Sequence, residues 1–359
     1  MSSNESDLKP DDVKNEEERL KMLIITKPIT FVNEFHLNLT DSKIKLRYLT
    51  PKQFSAVEFE AEFLHDDSDD NIIEDFWKNA TRNLNHLQGI GKMTITVESD
   101  GCDDLDSYRW HGARRFKVFK EFGNFLDSLE NIHKLSVFDF FFTFETPEDV
   151  GHIMDRIDYS NIWNIYLEYN ERSLERKEIH ELNMISVIGT EAFQYADRLR
   201  TKNVIFKWDE CRSFSNFNDA VVCFHGELHD HYLMDLIRDL LKNHELANLQ
   251  INCPSGTSFD QNVIDRLRSK YETDSNNWTY FSYESSGKLG LNLGYKMIVF
   301  HGPRFTGEKN GDDEMNEYYY EMDVEEEETE EEKLPDNIDM ILADLYIEEQ
   351  FPELFLKKY

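Results

Sequence analysis

The feature that most constrains the fold is an alternation of short apolar stretches with amphipathic ones along the middle of the chain. "HKLSVFDFFFTF" predicts a strand, and "TPEDVGHIMDRI" predicts a helix that Thr146 caps and Pro147 begins. "NIWNIYLEY" predicts the next strand. Predicted strand centres recur at intervals of roughly 30 to 45 residues, enough for a strand, a helix and two loops. Neighbouring parallel strands need such connections.

The irregular interval favours an α/β fold of degenerate strand–helix units, with a curved, leucine-rich-repeat-like sheet and its helices on one side. Near the N-terminus, "FVNEFHLNL" and "IKLRYLT" alternate apolar with polar residues, and we expect antiparallel strands there. "FDQNVIDRLRSKY" predicts one of the later helices. A doubly wound α/β sheet would give the same periodicity, so it stays open as an alternative.

Four parts follow from the changes in composition along the 359 residues. Residues 1–21 are polar and charged, and we expect a disordered leader. Residues 22–307 form the α/β domain. Residues 308–333 hold 14 acids and 2 lysines, so we expect a disordered acidic linker. An apolar stripe in residues 334–359 predicts an amphipathic C-terminal helix.

The net charge of −33 constrains what the protein can bind. Such a chain repels nucleic-acid phosphates and anionic membrane surfaces, so we expect neither as a partner. A protein partner, basic if charge selects it, is the expectation that remains. The candidate partner-binding residues are the glutamates of the acidic linker: Glu325, Glu326, Glu327, Glu328, Glu330, Glu331 and Glu332. An acidic chaperone for basic proteins such as histones is therefore one alternative function.

Cysteine spacing and the N-terminus bear on the compartment. The four cysteines lie far apart, without a CxxC pair, which is typical of a reducing environment. The first residues lack the apolar stretch of a signal peptide, and no apolar run is long enough to span a bilayer. We therefore expect a cytoplasmic or nuclear protein that is not bound to a membrane.

The stretch "CFHGELHDHYL" is the strongest candidate for chemistry. Cys223, His225, His229 and His231 are residue types that bind zinc, which makes a zinc-dependent hydrolase a second alternative function. No second His/Cys pair and no HExxH motif accompany them. A strand, a loop and the start of a leucine-striped helix is the favoured interpretation. We expect no enzyme activity, no catalytic or metal-binding residue and no cofactor.

The cluster "RWHGARR" at Arg109–Arg115 is the one concentrated basic patch of the sequence. Its charges are expected to lie in a solvated loop that complements an acidic surface. A contact with an anion or an acidic peptide is the alternative for the same cluster.

Two segments of the chain resemble units of the nematode F-box-associated FTH domain. "HKLSVFDFFFTFETPEDVGHIMDRIDYSNIWNIYLEY" resembles one unit, and "DAVVCFHGELHDHYLMDLIRDLLKNHELANLQINC" is similar to a later one. The resemblance covers about Ile29 to Phe305 and rests on degenerate apolar patterns.

The resemblance implies a non-enzymatic protein–protein interaction module that recruits substrates, with no catalytic residues to carry over. FTH-domain proteins normally carry an F-box ahead of this domain. Here about 28 mostly charged residues precede it, without a recognisable F-box. This departure leaves binding to a Skp1-type adaptor in doubt.

Overall fold

The computed structural model describes residues 28–51, 56–63, 69–98, 105–129, 134–170, 182–225, 228–253, 269, 271–274, 276–284, 287–294 and 296–307. The predicted leader, acidic linker and C-terminal helix lie outside these residues, as does almost all of the helix predicted from "FDQNVIDRLRSKY". The described residues divide into two compact units. The first consists of residues up to 94, 98–137 and 156–158, and the second of residues 95–97, 138–155 and those from 159 onwards.

The first unit begins with three consecutive antiparallel strands, β1 (Phe31–Leu39), β2 (Lys43–Leu49) and β3 (Val57–Glu62). Buried apolar residues alternate with more exposed ones along β2, so one face of this layer packs inward. β4 (Gly89–Val97) lies beside β1, and Gln88 N, just before β4, donates to Thr30 O. The predicted antiparallel strands near the N-terminus are confirmed.

Two helices, α1 (Asp69–Leu84) and α2 (Leu105–Asp127), pack together in the first unit. The residues at helical spacing along α1, namely Ile73, Phe76, Trp77, Ala80 and Leu84, are buried, so one face of this helix packs inward. Trp77 of α1 stacks on Phe122 of α2 with ring centroids 4.9 Å apart, and Phe122 stacks on Phe35 of β1 at 5.8 Å. Stacked aromatic rings therefore form the core between the helices and the strands.

The basic cluster "RWHGARR" lies within α2, so the prediction of a loop is wrong. Arg114 is buried, and its Nε donates to Asp69 Oδ2 at 2.6 Å, while its Nη1 donates to Asp41 O at 2.8 Å. A buried arginine is stable only when it is paired. The cluster is not a solvated loop because Arg114 ties α2 to the start of α1 and to the turn after β1.

The second unit is built on parallel strands with helices between them. In chain order the elements are β5 (Leu135–Phe144), α3 (Pro147–Met154), β6 (Ile157–Asp158, which pairs with the start of β5), β7 (Asn164–Tyr169), α4 (Ile185–Ile188), α5 (Glu191–Tyr195), β8 (Arg198–Phe206), a 3-10 helix (Trp208–Phe214), β9 (Asp219–Phe224), α6 (Asp230–Leu240) and β10 (Asn248–Asn252).

Helix α3 begins as predicted, with Thr146 at the N-cap and Pro147 in the first turn. The Thr146 hydroxyl donates to Asp149 Oδ2 at 2.7 Å instead of accepting from a backbone N–H.

The strands β5, β7, β8, β9 and β10 are neighbours in chain order and run parallel. Crossovers between parallel strands are almost always right-handed. Because each strand is added at the same edge of the sheet, all the connecting helices lie on one face of the sheet. A doubly wound sheet needs a reversal of strand order, which the described strands of this unit lack. The α/β class and the arrangement in successive strand–helix units are confirmed.

An antiparallel end follows the parallel strands. It consists of β11 (Glu272–Thr273), β12 (Trp278–Ser282), β13 (Lys288–Leu293) and β14 (Met297–His301), in the order β10-β14-β13-β12-β11. β14 pairs with β10 in the antiparallel direction, so the sheet of the second unit continues across both parts. Its strands are parallel in one part and antiparallel in the other.

Candidate functional site

The sheet of the second unit has two faces of different character. The covered face, on the side of the helices, carries a row of apolar residues that lie opposite one another across six strands: Phe140, Ile165, Leu199, Ala220, Leu249 and Phe300. All six are buried. On the same face, Phe206 of β8 contacts Phe214 of the 3-10 helix, with ring centroids 4.7 Å apart.

The other side, here called the open face, carries the alternate residues of the same strands. One row across it consists of Phe141, Tyr166, Arg200, Val221, Gln250 and Val299. All of them except Val221 are half-buried, and Phe141 contacts Tyr166 with ring centroids 5.7 Å apart. Because the connecting helices lie on the opposite side, no described element of this unit covers these side chains.

Charges on the open face are matched to one another. Lys202 Nζ lies 2.8 Å from Glu168 Oε1, and Arg200 is paired with Asp219. Asn164 Nδ2 donates to Asp139 Oδ1 at 2.6 Å. The open face of the parallel strands thus combines three carboxylates with three bases, although the whole chain has 72 acids and 39 bases. Aromatic, amide and balanced ionic contacts, rather than net charge, are what this face offers a ligand.

The antiparallel end adds an aromatic stack. The imidazole of His301 lies between Trp278, at 4.3 Å between ring centroids, and Phe305, at 3.5 Å. Burial between these rings lowers the pKa of His301 to about 4, so the ring is neutral at pH 7. A Cβ on Gly290 would lie 3.2 Å from the Trp278 ring, so glycine leaves the room that the indole needs.

The residues of "CFHGELHDHYL" occupy the end of β9, a loop and the start of α6, as the favoured interpretation predicts. Burial raises the pKa of the Cys223 thiol to about 12, which disfavours the thiolate that zinc requires. The rings of His229 and His231 are nearly parallel, with centroids 5.9 Å apart. Among the residues that the structure describes, no group of three or more His, Cys, Asp or Glu side chains is placed to hold a metal ion.

A shallow polar cleft of about 740 Å³ lies beside α5, the 3-10 helix and α6. Both of its cations bond to one carboxylate: Arg212 Nε and Lys242 Nζ each lie 2.7 Å from an oxygen of Asp239. Burial alone would raise the pKa of Asp239, but the hydrogen bonds from Lys242 and Arg212 outweigh it and lower that pKa. Both cations of the cleft are therefore already engaged by a carboxylate of its own lining.

The candidate glutamates Glu325 to Glu332 lie outside the described residues, so the structure brings none of them to a site.

Comparison of the chain with known protein families and with curated proteins finds no match. Within the described part of the chain, no helix has the length and apolar character needed to cross a membrane.

Sequence reasoning missed the open face as a candidate site. A signal for it was present: in "RLRTKNVIF" of β8, Arg198, Arg200 and Lys202 alternate with buried residues. Strands of a parallel sheet are usually covered on both faces and are then apolar throughout. Bases at every second position therefore indicate a sheet that is covered on one side.

Proposed function

We propose that this chain is a non-enzymatic protein-interaction module that binds a partner protein through the open face. The single observation that carries the proposal is the row across six strands, in which half-buried aromatic, amide and charged side chains face away from the helices. A broad, continuous face of this kind resembles a protein-binding surface more than a pocket for a small substrate.

The matched charges of the open face indicate the chemistry of the partner's contact. Because Arg200 and Lys202 are already paired with acids, a strongly charged partner surface would have to displace internal ion pairs. A contact surface with apolar and amide side chains and little net charge would meet Tyr166, Phe141 and Gln250 without that cost. The partner's basic regions would then lie outside this contact.

The acidic segment 308–333 has a separate part in this proposal. Its glutamates would attract a basic region of the same partner and raise the rate of association, an effect that falls as salt is added.

The three described cysteines, Cys211, Cys223 and Cys253, are free thiols, which supports action in the cytoplasm or the nucleus. The resemblance to FTH domains is compatible with this function and stays a prediction.

The test is quantitative affinity capture with the full chain, comparing the wild type with a Tyr166→Ala/Gln250→Ala variant and a Phe116→Ala control. Phe116 is 67% exposed on α2, in the first unit, which makes it a matched loss of aromatic surface elsewhere. We expect captured proteins that are depleted about tenfold or more by the double variant and retained by the control. Equal capture by all three folded proteins would contradict the proposal.

The contribution of the acidic segment is tested on the same captured partner. Changing Glu325, Glu326, Glu327, Glu328, Glu330, Glu331 and Glu332 to glutamine should weaken binding at low salt. The difference from the wild type should shrink at about 0.5 M salt, because screening shortens the reach of exposed charges. A loss that is independent of salt would contradict electrostatic attraction by this segment.

A further inference from the structure

Three large aromatic side chains lie exposed on neighbouring segments of the second unit. Tyr159 is 39% exposed, and Trp163 and Tyr195 are each 66% exposed. The rings of Tyr159 and Tyr195 are in contact, with centroids 4.8 Å apart and planes inclined by 33°. Trp163 O accepts from Arg198 N at 2.8 Å, so the two segments that carry the tyrosines also meet beside Trp163. We call Tyr159, Trp163 and Tyr195 the aromatic patch.

The aromatic patch differs from the aromatic core of the second unit. The phenylalanines of the second unit's core, such as Phe193 and Phe206, are fully buried. Tyr159 and Tyr195 instead lie at the end of short helical segments, with their rings in contact but still open to solvent. Clustered exposed aromatic rings are typical of binding sites. Because they add little to the buried core, their exposure points to contact with another molecule.

The charges around the aromatic patch favour a cation. Glu191 lies one helical turn before Tyr195 on α5. Asp197, two residues after Tyr195, has a side chain 43% exposed and accepts a hydrogen bond from Asn218 Nδ2. Arg198, 3.8 Å from Asp197, is the one base within residues 191–198, the segment that carries Tyr195. Two carboxylates against one guanidinium give this segment a net negative charge.

We propose that the aromatic patch binds an arginine side chain presented by a segment of a partner protein. The π-faces of tyrosine and tryptophan attract a cation, and a planar guanidinium can stack on a ring while it donates to a carboxylate. Glu191 and Asp197 are the carboxylates within reach of such a group. Arginine fits better than lysine because its guanidinium is more weakly hydrated and flat. This inference rests on the proposed function, that the chain binds protein, but it concerns a surface separate from the open face.

The test is a titration of the full chain with three fluorescently labelled peptides that differ at one position. The first is Gly-Leu-Arg-Leu-Gly, the second carries citrulline in place of arginine, and the third carries lysine. Citrulline keeps the shape of arginine and removes its charge. We expect the arginine peptide to bind about tenfold more tightly than the citrulline peptide and a few-fold more tightly than the lysine peptide. Tyr195→Ala and Trp163→Ala should each weaken binding of the arginine peptide by about three- to tenfold.

The Phe116→Ala variant is the control, because it removes an equally exposed ring from the first unit and should leave the titration unchanged. Thermal unfolding confirms that each variant is folded. Equal affinity for the arginine and citrulline peptides, an equal loss in Phe116→Ala, or no binding of the arginine peptide up to about 1 mM would overturn the inference.

A loss caused only by neutralising the glutamates of segment 308–333 would also overturn it and assign the affinity to that segment. None of these outcomes changes the capture experiment on Tyr166 and Gln250. The failure of this inference is therefore distinguishable from the failure of the proposed function.

Discussion

The covered and open faces of the second unit belong to the same strands but differ in what they do for the molecule. On β7, Leu167 is fully buried against the helical side, whereas its neighbour Tyr166 is half-buried on the open side and contacts Phe141. On β8, buried Leu199 is followed by Arg200, which pairs with Asp219 across the open face. Burial of apolar side chains dominates folding free energy, so stability should reside in the covered face. The open face is then free to change for binding.

The largest contrast concerns two arginines, one buried and one on the open face. Replacing Arg114 with methionine leaves Asp69 buried without its guanidinium, which should lower the free energy of unfolding by about 3 to 5 kcal/mol. Replacing Arg200 with methionine removes a partly exposed pair and should cost about 1 kcal/mol or less. Urea unfolding of both variants measures the difference. Similar losses would show that the open face contributes more to stability than burial indicates.

The second contrast uses neighbouring residues of one strand. Leu167→Ala should lower the free energy of unfolding by about 2 to 5 kcal/mol, because it leaves a cavity beneath the helices. Tyr166→Ala should lower it by about 1 kcal/mol, because the ring is already half in solvent. Unfolding midpoints in urea, with unchanged slopes, provide the comparison. A reversed order would mean that the two faces are assigned the wrong way round.

A smaller effect is expected from His301 at the antiparallel end. Its folded pKa, about 4, is below the ordinary value of 6.5, so the unfolded state binds the proton first as the pH falls. The resulting loss of stability is absent above pH 6.5 and grows between pH 6.5 and 4. Allowing for solvent screening of a partly exposed ring, the loss should be about 1 kcal/mol at pH 4.5.

A His301→Phe variant keeps a ring between Trp278 and Phe305 but cannot be protonated. Urea unfolding at pH 7 and pH 4.5 should therefore show a smaller decrease for the variant than for the wild type. Identical decreases would mean that other groups, such as the carboxylates, account for all of the acid sensitivity.

Local patterns predicted much of the fold. The alternation of strand and helix, the antiparallel N-terminal strands and the start of α3 at Thr146 and Pro147 all follow from residues close together in the sequence. The environment of Arg114 could not be predicted in this way, because its partner Asp69 lies 45 residues earlier. Without that contact, a group of arginines is most simply interpreted as a solvated loop.

The two candidate surfaces differ in the same respect. The alternation of Arg198, Arg200 and Lys202 with buried residues makes the open face recognisable in the sequence once a parallel sheet is assumed. The contact between Tyr159 and Tyr195 depends on how two short helical segments meet in the second unit, and no local pattern encodes it. The apparent zinc ligands show the converse, since residues adjacent in sequence are divided between a strand end and a helix start.

Hydroxyl-radical footprinting of the full chain, free and bound to a captured partner, tests the central claim most directly. Phe141, Tyr166 and Met297 on the open face should be oxidised faster than Phe140 and Leu167 in the free protein. The three open-face residues should be protected in the complex, with Phe116 unchanged. Slow oxidation of the open-face residues in the free protein, or protection confined to other surfaces in the complex, would contradict the assignment of the open face as the binding surface.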